Sequence, residues 1–239
     1  MLLDFVSCVN EKPEWWAAVF AEHDATVELE TRLKSVLTAV ETLLLKYREV
    51  ARAETSFREE ISKLRFRDVL PTADANSLRV IVTTMQELEA SRRKLADNLD
   101  RNVRREIVQL YSGSENQSLS CKSMKESRKS LDKIADEHEE KLGRYLAMTN
   151  KTKPEELKDA TSSLNHYRTS FKNLALDYTF RQNVFHFEQR SAILSVLSQA
   201  MNAFQAYHKE GAAATKSIER DMSELSCRQQ ELQTQQEQV

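Results

Sequence analysis

The sequence predicts an all-α protein: three long antiparallel helices packed as a coiled-coil-like bundle. Three observations carry this. The 239 residues include only three Pro and three Gly, too few for the frequent turns of a sheet protein. Charged residues make up 30% and hydrophobic residues 40%, a balance that suits long amphipathic helices. Apolar residues also recur at steps of three, four or seven over long stretches without helix breakers.

The elements follow in order. Residues 2–10, "LLDFVSCVN", form a short amphipathic segment, too acidic and too short in its apolar part for a signal peptide. Pro13 suits a helix start, and the first long helix is expected over about 14–67. Leu33, Val36, Val40, Leu43, Tyr47 and Val50 step by threes and fours, and Phe57, Ile61 and Leu64 resume the stripe. "RDVLPTADAN", around Pro71, breaks the chain. The second helix is expected over about 74–148, with Leu78, Ile81, Met85, Leu88, Leu95 and Leu99 in register. Inside it "YSGSENQSLSC" holds Gly113 and four serines, and reads either as a kink or short loop or as a weak continuous helix. "TNKTKPEE" is the next break. Pro154 then starts a third helix, with two Glu in the first turn where the helix dipole favours them. This helix, about 154–236, repeats Leu157, Leu164, Phe171, Tyr178 and Phe185 every seven residues.

Apolar residues exceed one face around "VFHFEQRSAILSVLSQAMNAF". Phe185, Phe187, Leu194, Leu197, Met201 and Phe204 are therefore expected in a homodimer interface, the alternative being a thicker monomer core. The net charge is −2, so the molecule as a whole has no strong attraction for nucleic acid or membrane. Charge is uneven, however. Residues 122–172 hold 12 basic and nine acidic side chains, the only positive quarter of the chain. Lys122, Lys125, Lys129 and Lys133 share a helix face, Arg128 lies beside them, and Lys151 and Lys153 fall in the turn.

Chemistry is not indicated. Cys8, Cys121 and Cys227 are scattered and form no C-x-x-C pair, so no metal, cofactor or disulfide framework is expected, and a reducing cytoplasmic setting is the simplest fit. The five His are dispersed, and no phosphate loop or nucleophile motif occurs, so no catalytic residue is assigned.

The third helix, "SLNHYRTSFKNLALDYTFRQNVFHFEQRSAILSVLSQAMNAFQAYHKEG", resembles the BAR segment of the ACAP, or centaurin-beta, type of Arf GTPase-activating protein. Leu176, Asp177 and Tyr178 match one family feature, and Phe204, Tyr207 and Gly211 another. "LDFVSCVNEKPEWWAAV" resembles the family's opening and "KSMKESRKSLDKI" its basic segment, while "YSGSENQSLSC" departs from it. The resemblance implies a crescent-shaped homodimer that binds anionic phospholipid, phosphoinositides included, and senses or generates curvature. Lys122, Lys125, Arg128, Lys129, Lys133, Lys151 and Lys153 would be its lipid contacts. It further implies a peripheral location on endosomal or plasma membrane and a role in membrane traffic and endocytosis. PH, Arf GAP and ankyrin parts downstream would engage small Arf GTPases. This chain has none of them and is expected to lack catalysis. Nucleic acid is not an expected partner. The competing reading is a coiled-coil adaptor that binds proteins only.

Overall fold

A computed structural model describes residues 2–63, 72–113, 119–149 and 152–237. The described residues form helices: α1 (Phe5–Val9), α2 (Pro13–Lys63), α3 (Thr72–Leu99), a π-helical segment (Asp100–Arg104), α4 (Arg105–Ser112), α5 (Cys121–Leu146), α6 (Pro154–Ser217) and α7 (Glu219–Glu237). The chain makes two compact units, Met1–Leu37 with Glu106–Ser195, and Thr38–Arg105 with Val196–Val239.

In the first unit the entry to the long helix is tightly specified. Asp4 caps α1, accepting hydrogen bonds from the amides of Val6 and Ser7. Glu11 takes φ 54°, and the amide of Lys12 reaches the carbonyl of Ser7 at 3.0 Å, which closes α1 with a left-handed cap before Pro13 opens α2. Leu3 then clasps α6: its amide donates to Asn183 Oδ1 at 2.7 Å, and Asn183 Nδ2 donates to its carbonyl at 2.9 Å. Trp15 is buried and its Nε1 donates to Thr179 Oγ1 at 3.1 Å. Val19, Ile107, Met124, Leu131, Phe171, Tyr178 and Phe185 are other large buried side chains along this unit.

Residue pairs fix the direction of the helices. Glu30 of α2 meets Lys125 of α5, while Tyr111 of α4, earlier in the chain, meets Lys34. His138 of α5 stacks on Phe171 of α6, and Lys141 lies over Tyr167. The middle helices thus run antiparallel to both neighbours, as expected. In the second unit Arg58 pairs with Glu89, Arg92 with Glu54, and Lys94 with Glu210, and α7 packs along α3.

The expected second helix is not continuous. Ser91, Leu95, Leu99, Val103 and Ile107 are all buried at steps of four. In a regular α-helix each such step drifts about 40°, so four would carry the stripe about 160° round. The π segment absorbs this drift: the amide of Arg105 donates to the carbonyl of Asp100, five residues back. Further on, Gly113 adopts φ 84° and its amide caps the carbonyl of Gln109 at 2.7 Å, which ends α4. Ser120 starts α5 with a reciprocal capping box to Ser123. Of the two readings of "YSGSENQSLSC", the interruption is correct at both edges, and residues 114–118 lie outside the described residues. The third helix has a turn at Ile218, between α6 and α7. The breaks around Pro71 and at residues 150–151 lie largely outside the described residues.

Candidate functional site

The basic face is built by α5. Cys121, Met124, Arg128 and Leu131 are its buried residues, at steps of three, four and three, and they define the face turned into the bundle. Lys122, Lys129 and Lys133 are exposed on the other side, and Lys133 comes only within 4.0 Å of Glu137. Lys153 is exposed just before α6. Lys151 lies outside the described residues. Glu126, Asp136 and Glu140 are exposed on α5 as well, so this face is dotted rather than uniformly positive.

Two residues of the expected lipid set are held by the monomer instead. Arg128 is 4% exposed. Its Nε and Nη2 bind both carboxylate oxygens of Asp132 at 3.0 and 2.7 Å, and its guanidinium lies 4.5 Å from the ring centre of Phe20 and 5.5 Å from that of Trp16. It is therefore removed from the lipid set. The signal was in the spacing, since Arg128 falls on the Cys121–Met124–Leu131 face. Lys125 is half-buried and bonds Glu30 at 2.6 Å. The hydrogen bonds from Lys125 and then Lys34 hold the Glu30 carboxyl below the usual carboxylate range. Burial pushes the Cys121 thiol up to about 11 and the Tyr178 phenol up to about 12, so neither ionises near neutral pH.

The apolar set divides similarly. Phe185 is fully buried in the first unit and belongs to the monomer core, which corrects its placement in a dimer interface. Phe204 is half-buried. Phe187, Leu194, Leu197 and Met201 are exposed. With Phe180, three of them make a strict heptad on α6, 180–187–194–201, and every member is more than half exposed. A second exposed heptad runs along α2: Val36, Leu43, Val50 and Phe57. The sequence reading places these four in the bundle seam, but the α2 core positions are Trp15, Val19, Leu33 and Leu44. Among its described residues the second unit buries Leu44, Leu95, Leu99, Val103, Ala203 and Ala214 while exposing Leu43, Leu45, Val50, Phe57, Leu197 and Met201.

No helix among the described residues is long and apolar enough to cross a membrane. Comparison with known proteins gives the context. The sequence profile described as the BAR domain of APPL family matches residues 3–239. The human Arf-GAP with coiled-coil, ANK repeat and PH domain-containing protein 3 is 22% identical over 227 residues, covering 95% of this chain and 26% of that protein. The rabbit (Oryctolagus cuniculus) Arf-GAP with coiled-coil, ANK repeat and PH domain-containing protein 2 is 24% identical over 211 residues, 88% of this chain and 26% of that protein. The chain thus spans about a quarter of the length of these curated relatives. Among solved structures, the amphiphysin BAR domain from Drosophila superposes with a TM-score of 0.69 at 12% identity, covering 89% of this chain and 95% of that one.

Proposed function

Because the chain belongs to the family of APPL-type BAR domains, a helical and non-catalytic module, we propose that it acts as a homodimer that docks on anionic phospholipid membrane. The observation that carries this reading is the pair of exposed heptads on α2 and α6. Apolar residues at 36, 43, 50 and 57 and at 180, 187, 194 and 201 form seams of coiled-coil type that a single chain leaves in water. A second copy covers them, and such an obligate interface buries more than about 2,000 Å².

The membrane contact is electrostatic in this proposal. Lys122, Lys129, Lys133 and Lys153 are exposed. Each contributes about 1 kcal/mol near an anionic surface, and dimerisation doubles the number. Glu126 and Asp136 offset part of this, so binding is reversible and gains from avidity with any linked lipid-binding domain. The dimer is taken as crescent-shaped and responsive to curvature, with phosphoinositides among its lipids and with endosomal or plasma membrane as its site. PH, Arf GAP and ankyrin parts, as in the relatives' names, would follow in a longer polypeptide and bring the module to small Arf GTPases.

Vesicle co-sedimentation tests the reading. Lys129→Glu/Lys133→Glu should lose binding to anionic vesicles while keeping its helical circular dichroism. Wild-type binding should fall as salt rises from about 50 to 300 mM. Binding that ignores both salt and these substitutions would mean apolar insertion in place of electrostatic docking, and no vesicle binding at all would favour the protein-only adaptor.

A further inference from the structure

The hairpin end of α5 and α6 holds a partly open cleft of about 280 Å³ in the first unit. Its walls have opposite charge. Lys141 and Arg144, one turn apart on α5, line one side, and Glu156 and Asp159, one turn apart on α6, line the other. Met148 and Ala160 add an apolar surface. The obvious partners do not take each other up. Lys141 bonds Glu140, outside the cavity, at 2.9 Å and lies 5.6 Å from the ring centre of Tyr167. Among the described residues the side chains of Arg144, Glu156 and Asp159 make no hydrogen bond or ion pair, although all three line the same small space.

Charge decides what such a space can hold. A bare divalent cation would meet the ammonium of Lys141 and the guanidinium of Arg144. A simple anion such as phosphate would meet two carboxylates. A ligand with both charges fits both walls, its phosphate on α5 and its ammonium on α6. Guanidinium is the side chain best shaped for a phosphate, and an ammonium suits paired carboxylates. The volume lies just below the usual range for small-ligand pockets, about 300 to 1,000 Å³, and so admits a headgroup rather than a larger ligand.

We propose that the Lys141–Arg144–Glu156–Asp159 cleft binds a phosphoamine headgroup that carries both charges, of the phosphoserine or phosphoethanolamine class, the extra carboxylate of phosphoserine sharing the Lys141–Arg144 wall with the phosphate. The source is a membrane lipid or a soluble phosphodiester. The lipid source rests on the membrane reading above, and the cavity itself does not. The cavity adds headgroup choice to a surface that otherwise reads only charge.

Two measurements test this. In the first, the chain carries labelled Met and Ala methyl groups and is titrated with soluble glycerophosphoserine. The Met148 and Ala160 methyl resonances should shift, and glycerophosphoglycerol should leave them in place. In the second, vesicles of phosphatidylserine are compared with vesicles of phosphatidylglycerol at equal charge density. Asp159→Asn separates the explanations by sign. It removes a negative charge, so attraction by bulk charge alone predicts tighter binding to both vesicles. The cavity predicts about fivefold weaker binding to phosphatidylserine with no loss on phosphatidylglycerol. Arg144→Gln should abolish the methyl shifts. Both side chains are exposed, so folding is preserved, which circular dichroism checks. Methyl shifts without any vesicle binding would support the cavity and refute the membrane reading. Equal binding to both vesicles with no methyl shift would overturn the cavity and leave the membrane reading standing. Tighter binding of Asp159→Asn to both vesicles would also overturn it.

Discussion

Arg128 and Lys129 are neighbours in the chain with opposite fates. One guanidinium is buried against Phe20 and Trp16 with Asp132 as partner; the next ammonium stands in water. Arg128→Gln should therefore destabilise the bundle, by about 1–3 kcal/mol in chemical denaturation, through lost stacking and an orphaned Asp132. Lys129→Gln should change stability by less than about 0.5 kcal/mol and affect only vesicle binding. Equal effects would mean that Arg128 is not held as described. Glu30 gives a pH test. Its carboxyl is lowered in the folded state by Lys125 first and Lys34 second. A lowered folded pKa stabilises above the unfolded value, about 4.3, and that contribution is lost as pH falls through the folded value. Stability should therefore fall less steeply below about pH 4.3 in Glu30→Gln than in wild type, as read by denaturant midpoints across pH. Identical slopes would contradict the Lys125–Glu30 pair.

At the scale of elements, the π segment is the least expected feature. The buried run Ser91–Leu95–Leu99–Val103–Ile107 was present in the sequence as a repeat of four, but a polar Ser and the charges between its members obscure it. The segment holds one residue more than a regular helix needs. Deleting exposed Asn102 should accordingly leave the protein folded, with its stability within about 1 kcal/mol of wild type. Deleting Ser127 should instead rotate Arg128 and Leu131 about 100° off the core and unfold the first unit. Thermal melts of the two deletions decide. Gly143 is the simpler case: it lies inside α5 and a Cβ there meets nothing within 4 Å. Gly143→Ala should raise stability by about 0.5–1 kcal/mol, and a loss would mean that the helix is not regular at this position. The ends of α4 and α5 were half legible. Gly113 signalled a stop, but the Ser120–Ser123 capping box was one of several serines and could not be singled out.

At the scale of the whole molecule, three long helices with the middle one reversed were legible because so few breakers interrupt so long a periodic pattern. What the pattern could not supply is the identity of the neighbour. A heptad says that a stripe is apolar, not whether the same chain or another covers it. Phe185 and Phe187 stand about 200° apart on one helix, and only packing shows that the first is core and the second outward. Val36, Leu43, Val50 and Phe57 looked like an internal seam for the same reason. Each outward heptad is explained if two chains share it. Sedimentation equilibrium at micromolar concentration tests this most directly. The expected species has twice the chain's 27.6 kDa, with Leu194→Glu/Met201→Glu driven to the monomer. A wild-type chain that stays at 27.6 kDa across the concentration range would contradict it.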